Sequence, residues 1–450
     1  MRSFKCPSPR QTLIAGLVAL ALCSLITLDK PLASIRLQRR PHSRASWLFP
    51  MPATGFRANS WQDVNSAHMR TLIDCTERGT CSANQTKVVI FASWDFTYAI
   101  EGHVSGENIW ANSVMDALDE LGYTYFFAYN HHQLADRYRM LGDLVRIVIA
   151  QSPLVHDCIR DPNCIKSPMN LLGVPLWKIF GFEFWENSYM PHPLGKPWTL
   201  SPANYRNGNF FLGYTVNRTC NNQAVVPHTL REHRVFVLAK RLSYFFENSY
   251  QWPNIDYAHP PHALHDLTFV GSIWNDTAEE EKNVPPSPQI PAGILNLNEA
   301  NLDADEFYRE VAFSKLLLGI GSPPLSPSPY DALCLGVPFL NPVMRWDKNN
   351  PENRTAWWTQ HDGFKYEQEP YVYHVLKDPN TTMRTQRFWE AIERAVSTPI
   401  ERYIPEDMTH LALVSRVSAL VDTDWRSRAE KLVEAWRGSG DVSARFALYF

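Results

Sequence analysis

The segment Leu316–Pro342, "LLLGIGSPPLSPSPYDALCLGVPFLNP", combines residue types that suit the binding of a nucleotide sugar. An apolar strand ends at Gly319 and Gly321, a loop with four prolines follows, and Asp331 lies in the first turn of the next helix. Ligands of open α/β sheets bind where the strands end, and proline gives a loop a fixed shape. N–H groups at the helix start could bind a diphosphate. Asp331 could then bind ribose hydroxyls, or it could simply cap the helix.

Strand and helix patterns alternate on both sides of one break in the chain. Before the break, apolar runs at Lys87–Phe96, 123–130 and 146–152 accompany a helical pattern at Gly106–Gly122. After the Pro- and Gly-rich stretch 191–209, a second series begins with "FFLGYTV" and continues with "RVFVLAK", "LTFVGSIW", "KLLLGIG" and "VPFLNP". This alternation predicts α/β structure with parallel sheets. We expect two Rossmann-like domains facing a cleft, the architecture called GT-B, with an N-terminal membrane anchor.

The anchor is predicted from Thr12–Leu28, which contains 17 residues and no charge. This length suits a thin bilayer, and the alternative is a signal peptide cleaved after Cys23. The predicted organisation is a cytosolic tail at 1–11, a transmembrane signal anchor at 12–28, a stem and leading helix at 29–84, an N-terminal acceptor and base domain at 85–205, a C-terminal nucleotide-sugar domain at 206–425, and a C-terminal helix and tail at 426–450.

Charge is unevenly distributed between the first residues and the rest of the chain. The formal net charge is -3, and residues 1–44 carry eight Lys/Arg against Asp29, so the remainder carries a net charge of -10. An acidic body disfavours nucleic acid as a partner. The basic arm suits a membrane surface.

Five Asn-x-Ser/Thr sequons favour exposure of the body to the lumen of the secretory pathway. They are at Asn84, Asn217, Asn275, Asn353 and Asn380.

Cysteine spacing fits an oxidising compartment as well. Cys75 and Cys81 bracket one polar loop, and Cys158 and Cys164 bracket another with the same spacing. Local disulfides are the natural interpretation, while zinc ligation is disfavoured because five intervening residues exceed the usual ligand spacing. The two remaining cysteines of the body, Cys220 and Cys334, could pair or stay free.

The stretch "GIGSPPLSPSPYDALCLGVPFLNP" resembles the donor-site segment of the N-acetylglucosaminyltransferase V family, the alpha-1,6-mannosylglycoprotein 6-beta-N-acetylglucosaminyltransferases. "TQH" (359–361), "EPYVYHV" (369–375), "PIERYIPEDM" (399–408) and "KPWTLSP" (196–202) resemble other segments of that family, over roughly residues 85–425. Asp331 stands where the family has Glu. The resemblance implies a glycosyltransferase that moves N-acetylglucosamine from UDP to the 6-hydroxyl of a mannose in an N-glycan, with inversion. It also implies donor contacts by Gln360 and His361.

An inverting transferase needs a carboxylate that takes the proton of the attacking hydroxyl. "SGENIWANSVMDALDELGY" resembles the family's catalytic helix start, which implies that Glu107 is the base. The alternative is an ordinary acidic residue in a first helical turn. Asp95 and Glu101 are nearby rivals.

The UDP leaving group needs stabilisation by a metal ion or by fixed donors. "DAD" (303–305) matches a metal-binding pattern, but it opens a helix, so capping is the better interpretation. We therefore expect no metal cofactor. Lys240 at the end of a strand is the preferred cation, ahead of Lys348 and Arg345, and surface solvation is the alternative for all three.

Sugar rings pack on aromatic faces, so some tryptophans could line an acceptor groove. Trp110 and Trp198 are the candidates, with Trp94 and Trp185 near the same cleft, and core packing is the alternative for each. The histidine-rich segment His259–His265 fits no helical ligand pair, so we expect a loop rather than a metal site.

The predicted protein is therefore a single-pass type II membrane protein of the Golgi, with a lumenal body that uses UDP-GlcNAc and a glycoprotein acceptor. Two alternatives stay open. One is an inverting GT-B transferase with another donor or acceptor. The other is a catalytically silent glycan-binding protein with the same fold.

Overall fold

A computed structural model describes residues 60–103, 105–186, 189–276, 288–297 and 302–450. The predicted tail, anchor and most of the stem lie outside these residues. Within the described ranges, no helix combines the length and the apolar character that a bilayer crossing requires.

Apart from its first residue, the first described helix belongs to a separate compact unit, whose described residues are 62–82. Helix α1 is Trp61–Arg78, and a disulfide joins Cys75 near its end to Cys81. The predicted leading helix and the local disulfide are both confirmed.

The second unit contains two parallel sheets, and the first sheet precedes residue 212. Its described strands are Val88–Ala92 (β1), Thr124–Phe127 (β2), Val145–Gln151 (β3), Ile179–Phe182 (β4), Thr199–Ser201 (β5) and Phe210–Phe211 (β6), in the order β2-β1-β3-β4-β5-β6. The associated helices are Trp94–Ile100 (α2), Gly106–Leu121 (α3), His131–Leu141 (α4) and Ser152–Arg160 (α5). Every residue of β1 is buried, as expected for a parallel strand covered on both faces.

The second sheet follows residue 233. Its described strands are Arg234–Leu238 (β7), Thr268–Gly271 (β8), Ile294–Asn296 (β9), Leu316–Gly319 (β10), Phe339–Arg345 (β11), Trp358–Thr359 (β12) and Val372–Leu376 (β13). The parallel order is β9-β8-β7-β10-β11-β13, and β12 pairs antiparallel with β11. The remaining α-helices are Asn217–Cys220 (α6), Ala304–Ala312 (α7), Ser328–Cys334 (α8), Thr381–Ser397 (α9), His410–Asp422 (α10) and Trp425–Ser439 (α11).

Both sheet orders contain a point at which successive strands are added on opposite sides of a central strand. The first sheet reverses between β1 and β3, and the second reverses between β7 and β10. Ligands of doubly wound sheets bind in the crevice that such a reversal opens at the carboxyl ends of the strands. The predicted parallel α/β architecture is confirmed, and each sheet offers one such crevice.

Two predicted strands are partly wrong. The strand predicted over Lys87–Phe96 ends at Ala92, because the Ser93 side chain accepts a hydrogen bond from the Asp95 N–H and caps α2. "FFLGYTV" contributes only β6, which pairs with β5 in the first sheet instead of opening the second series. The first sheet therefore extends beyond the predicted boundary at residue 205.

The C-terminal helices return to the first sheet, whereas the sequence assigned residues up to 425 to the second domain. Asp422 at the end of α10 accepts hydrogen bonds from Lys87 and Tyr123, each over 2.7 Å. Trp425 at the start of α11 is fully buried and packs edge-on against Phe180 and Trp198. Hydrophobic periodicity predicts such helices but not the sheet on which they pack.

Two further disulfides lie in the second unit. Cys158 and Cys164 are bonded, as their spacing predicted. Cys220 and Cys334, which the sequence left open, are also bonded and join α6 to α8. The crossing segment between the two sheets is thus covalently tied to the helix that carries Asp331.

Candidate active site

A cavity of about 360 Å³ lies at the reversal point of the second sheet and is closed on one side by the first half of the chain. Lys240 after β7, Ser272 after β8 and Asp331 on α8 line it from the second half. Ser105 and Gly106 at the start of α3 line it from the first half. The cavity therefore joins groups from both halves of the chain, and we name it the donor-side cavity after the predicted donor-site segment that lines it.

The proline-containing loop is held in place by the side chain of Gln360. Its Oε1 accepts a hydrogen bond from the Gly321 N–H over 2.8 Å, and its Nε2 donates to the Pro323 carbonyl over 3.1 Å. A Cβ at Gly319 would lie 2.5 Å from the same Oε1, so only glycine leaves room for this contact. Gln360 is 1% exposed. Gln360 was predicted to contact the donor directly, but in the structure its buried side chain holds the loop in place.

His361 is also buried rather than open to a ligand. Burial lowers its pKa to about 3, so the ring is neutral at physiological pH. The ring packs against Tyr330 and Phe364. Its backbone N–H donates to Asn341 Oδ1 over 3.1 Å. His361 was predicted to contact the donor, but its ring packs in the interior instead.

Helix α8 starts at Ser328 without a capping side chain, because Pro327 occupies the N-cap position. The Ser328 N–H donates to Ser326 Oγ, and the N–H groups of Tyr330 and Asp331 donate to the Pro327 carbonyl. These bonds occupy the N–H groups that were expected to bind a diphosphate. The hydroxyl-bearing residues Ser326 and Ser328 line the cavity instead. Asp331 is 5% exposed and does not cap the helix.

Glu107 lies in a neighbouring groove of about 410 Å³ at the reversal point of the first sheet. The groove is formed by groups at the carboxyl ends of β1 and β3, including Asp95 after β1 and Gln151 at the end of β3. Ser105 caps α3 by accepting a hydrogen bond from the Asn108 N–H over 3.2 Å, which fixes the helix start beside this groove. Glu107 itself is exposed.

Gly106 connects the groove to the donor-side cavity. A Cβ at this position would lie 3.1 Å from Pro327 Cδ, which is closer than ordinary van der Waals contact. The start of α3 is therefore in direct contact with the proline-containing loop, so Glu107 directly follows a residue that touches the second half of the chain.

Asp95 is a second carboxylate in the groove and is mostly buried. Burial raises its pKa, a hydrogen bond from Gln151 opposes that effect, and repulsion from Glu107 raises it further. The Gln151 Nε2 to Asp95 Oδ2 distance is 2.9 Å. Asp95 is therefore a fixed neighbour of Glu107, whereas the rival Glu101 is exposed and lines neither the groove nor the cavity.

The tryptophans predicted to bind an acceptor are in the core. Trp110 is 0% exposed and stacks on Phe182 with ring centroids 3.5 Å apart, and Trp198 is 2% exposed. Both predictions are wrong, because these side chains cover the first sheet. Trp94 and Trp185 are 40% and 45% exposed and line the groove with Glu107. The sequence places all four near the cleft but does not distinguish those that face the core.

The other polar residues considered from the sequence lie in different parts of the structure. Asp303 forms a capping box with Glu306 at the start of α7, which confirms the capping interpretation, and it also lines the donor-side cavity. Arg345 lies 4.2 Å from the Trp358 ring, and Lys348 lines a different cavity. The histidine-rich segment contains only a short 3-10 turn over His262–Leu264, as expected for a loop.

The sequons differ in how accessible their amides are. Asn275 and Asn380 are exposed. Asn84 donates its side-chain amide to the Leu121 carbonyl over 2.8 Å, and Asn217 accepts a hydrogen bond from the Thr215 hydroxyl. Asn353 is partly buried.

A larger cavity of about 730 Å³ lies beside β13 and α9. All of its lining residues fall between 346 and 394, and they include Arg354, Arg387 and Arg394. Within the described part of the chain, no group of the first half lines this cavity, and Glu107 is not among its lining residues.

The chain is thus an α/β protein with two doubly wound sheets and a cavity that is lined from both halves. The sequence model of glycosyltransferase family 18 matches residues 195–436, which is more than half of the chain. The chain therefore belongs to glycosyltransferase family 18.

Individual relatives are distant. Human alpha-1,6-mannosylglycoprotein 6-beta-N-acetylglucosaminyltransferase A is 25% identical over 244 residues, covering 51% of this chain but 30% of the relative, so the chain spans about a third of that protein. Among solved structures, UDP-GlcNAc 2-epimerase from Methanocaldococcus jannaschii overlaps 74% of this chain and 99% of its own, at 11% identity and a TM-score of 0.38. An alpha-glucosyltransferase in complex with UDP-glucose and DNA containing an abasic site covers 77% and 98%, at 9% identity and a TM-score of 0.36.

The family match begins at residue 195, whereas the predicted resemblance begins at about residue 85 and extends to 425. It includes the proline-containing loop, Lys240 and Asp331, but it starts after the segment that contains Glu107 and Asp95. The family match thus covers the residues that line the donor-side cavity from the second half of the chain, but not those of the groove, which include Glu107 and Asp95.

We predict that Gly321→Ala disrupts the loop. Gly321 has φ of +114°, and an added Cβ would lie 2.0 Å from the Ser249 carbonyl oxygen. The free energy of unfolding should fall by more than about 2 kcal/mol. Denaturant unfolding measures this change.

The matched control is Gly438→Ala near the end of α11, where a Cβ would meet nothing within 4 Å. This variant should be up to about 1 kcal/mol more stable, because alanine favours helix. Equal stability of the two variants would contradict the described loop conformation.

Proposed function

We propose that the protein is an inverting glycosyltransferase of GT-B architecture that moves N-acetylglucosamine from UDP to the 6-hydroxyl of an α-mannose in an N-glycan. The family membership supports glycosyl transfer. The human relative is an alpha-1,6-mannosylglycoprotein 6-beta-N-acetylglucosaminyltransferase, and this supports the choice of donor sugar and acceptor.

The observation that carries the proposal is the contact between Gly106 and Pro327. It brings the start of α3, with Glu107, against the loop of the donor-side cavity. A displacement at the anomeric carbon needs a base on one side of the sugar and the leaving group on the other. Two strand-end crevices that meet at this contact supply those two sides.

In this mechanism Glu107 takes the proton of the mannose 6-hydroxyl. The hydroxyl oxygen bonds to the anomeric carbon from the face opposite UDP, while the bond from that carbon to the phosphate oxygen breaks. UDP leaves with the bonding electrons, so an α-linked donor gives a β-linked product. Asp95 keeps its place beside Glu107 through Gln151.

On the donor side, Lys240 would balance the charge that develops on the β-phosphate, since its side chain is exposed in the cavity. The hydroxyls of Ser326 and Ser328 would add hydrogen bonds, and Asp331 would bind the ribose. We propose that these groups act without a metal ion. Gln360 would contribute by holding the loop.

On the acceptor side, Trp94 and Trp185 replace the buried tryptophans as candidates. Their exposed rings flank the groove that contains Glu107, and flat apolar rings suit the packing of sugar faces.

Glu107→Gln is expected to lower kcat for transfer by about 10²- to 10⁴-fold, because the amide cannot accept the proton. The assay is mass spectrometry of the product from UDP-GlcNAc and a mannose-terminated N-glycan, with EDTA present. Glu101→Gln is the matched control, since Glu101 is an exposed acid six residues away, and it should keep the wild-type rate.

An unchanged rate in Glu107→Gln would exclude this residue as the base. Activity that requires manganese would exclude the metal-free mechanism. UDP binding without turnover of any UDP-sugar would favour the silent glycan-binding alternative, and turnover with another sugar or acceptor would favour the other transferase.

Trp185→Ala is expected to raise the KM for the acceptor about three- to tenfold and to leave the KM for UDP-GlcNAc unchanged, in line with the energy of aromatic packing. Trp436→Ala is the control, because this half-buried tryptophan on α11 lines neither cavity nor groove. Equal acceptor KM values in both variants would remove Trp185 from the acceptor site.

We also propose that the body is lumenal and held at the Golgi membrane as a single-pass type II protein, because five sequons and three disulfides fit an oxidising, glycosylating compartment. Enzymatic deglycosylation of the protein from a eukaryotic host should lower its mass. Asn380→Gln should remove one glycan, while Asn84→Gln, whose amide is already hydrogen-bonded, should remove none. A mass unaffected by deglycosylation would contradict the lumenal placement.

A further inference from the structure

Three side chains with metal-binding atoms meet outside the proposed active site. His131 and His132 begin α4, and Asp161 directly follows α5. One ligand atom from each of the three lies within 4.8 Å of the others. None of the three lines the donor-side cavity or the groove of Glu107.

The distances suit a shared cation better than direct hydrogen bonds. Asp161 Oδ2 lies 3.5 Å from His131 Nε2 and 3.3 Å from His132 Nδ1. Charge-assisted N–H···O bonds are shorter, at about 2.7–2.9 Å. A tetrahedral ion at about 2.0–2.1 Å from each ligand separates its ligand atoms by about 3.3–3.4 Å. The observed separations are close to that spacing.

The carboxylate is fixed and one of its oxygens is left for such an ion. Asp161 Oδ1 accepts a hydrogen bond from the Asn163 N–H over 2.9 Å. Asp161 Oδ2 is buried and, within the described residues, has no hydrogen-bond partner. The disulfide between Cys158 and Cys164 brackets this turn. The turn therefore presents Oδ2 to the two imidazoles in a constrained geometry.

We propose that His131, His132 and Asp161 form a binding site for a zinc-like divalent cation. Two imidazole nitrogens and one carboxylate oxygen are a ligand set that Zn²⁺ accepts, with water completing four-coordination. The His132 side chain is 70% exposed, so solvent reaches the open position. The ion would join the start of α4 to the disulfide-closed turn after α5, apart from the transfer chemistry.

The test is Zn²⁺ titration by calorimetry of the full chain, purified without a polyhistidine tag and stripped with a chelator. One equivalent should bind, and Co²⁺ at the same site should give the intense visible bands of a four-coordinate ion. His132→Gln and Asp161→Asn should each weaken binding at least about tenfold. His132 is mostly exposed and Asn keeps the shape of Asp161, so both variants should fold, which near-UV circular dichroism checks.

The matched control is His262→Gln in the exposed histidine-rich loop, which should leave Zn²⁺ affinity unchanged. The proposal is overturned if the wild-type chain does not bind Zn²⁺, or if His132→Gln binds it as tightly as wild type. It is equally overturned if His262→Gln removes the binding, or if Co²⁺ gives the weak bands of a six-coordinate ion. In those cases the three residues form carboxylate–imidazole contacts only.

Discussion

The close contact of Gly106 with Pro327 is the constraint on which the rest of the proposed site depends. A side chain at residue 106 would push the start of α3 away from the proline-containing loop, because an added Cβ would lie 3.1 Å from the proline ring. The loop cannot easily yield, since Gln360 bonds its backbone at Gly321 and Pro323. A fixed loop and a helix start without a side chain therefore set how near Glu107 comes to the donor-side cavity.

Longer-range connections support this local contact. The disulfide between Cys220 and Cys334 joins the crossing segment to α8, so the element that carries Asp331 is tied to the chain that leaves the first sheet. Helix α10 returns to the first half, where Asp422 bonds Lys87 and Tyr123. The chain thus crosses between its halves at least twice. The first crossing is fixed by the disulfide and the second by the hydrogen bonds of Asp422.

Much of the scaffold follows from the sequence, because buried parallel strands give continuous apolar runs such as the one in β1. Asp331 could be placed at a helix start after a buried strand for the same reason, whereas Glu107 was selected through the family resemblance of its helix start. Other features depend on partners distant in the chain. Trp94 lies in the apolar run predicted as a strand and Trp110 lies in the helical pattern at Gly106–Gly122. Neither pattern shows which tryptophan is buried, and it is the packing of Trp110 on Phe182 that does so.

Polar residues give the clearest case of this limit. Gln360 was assigned to ligand binding, but its amide is used by a loop almost forty residues earlier. Asp161 is thirty residues from His131, so no local spacing indicates that they meet. The sequence identifies which residues can do chemistry, and the fold decides which of them serve the loop, the groove or a separate cluster.

The most direct test of the account is a crystal structure of the protein with UDP bound. We expect density for UDP in the cavity at the end of β7 and β10, with the diphosphate near Lys240, the ribose near Asp331, and Glu107 beyond the diphosphate on the side of the first sheet. Density for UDP in the arginine-lined cavity beside β13 and α9, with the other cavity empty, would contradict the account.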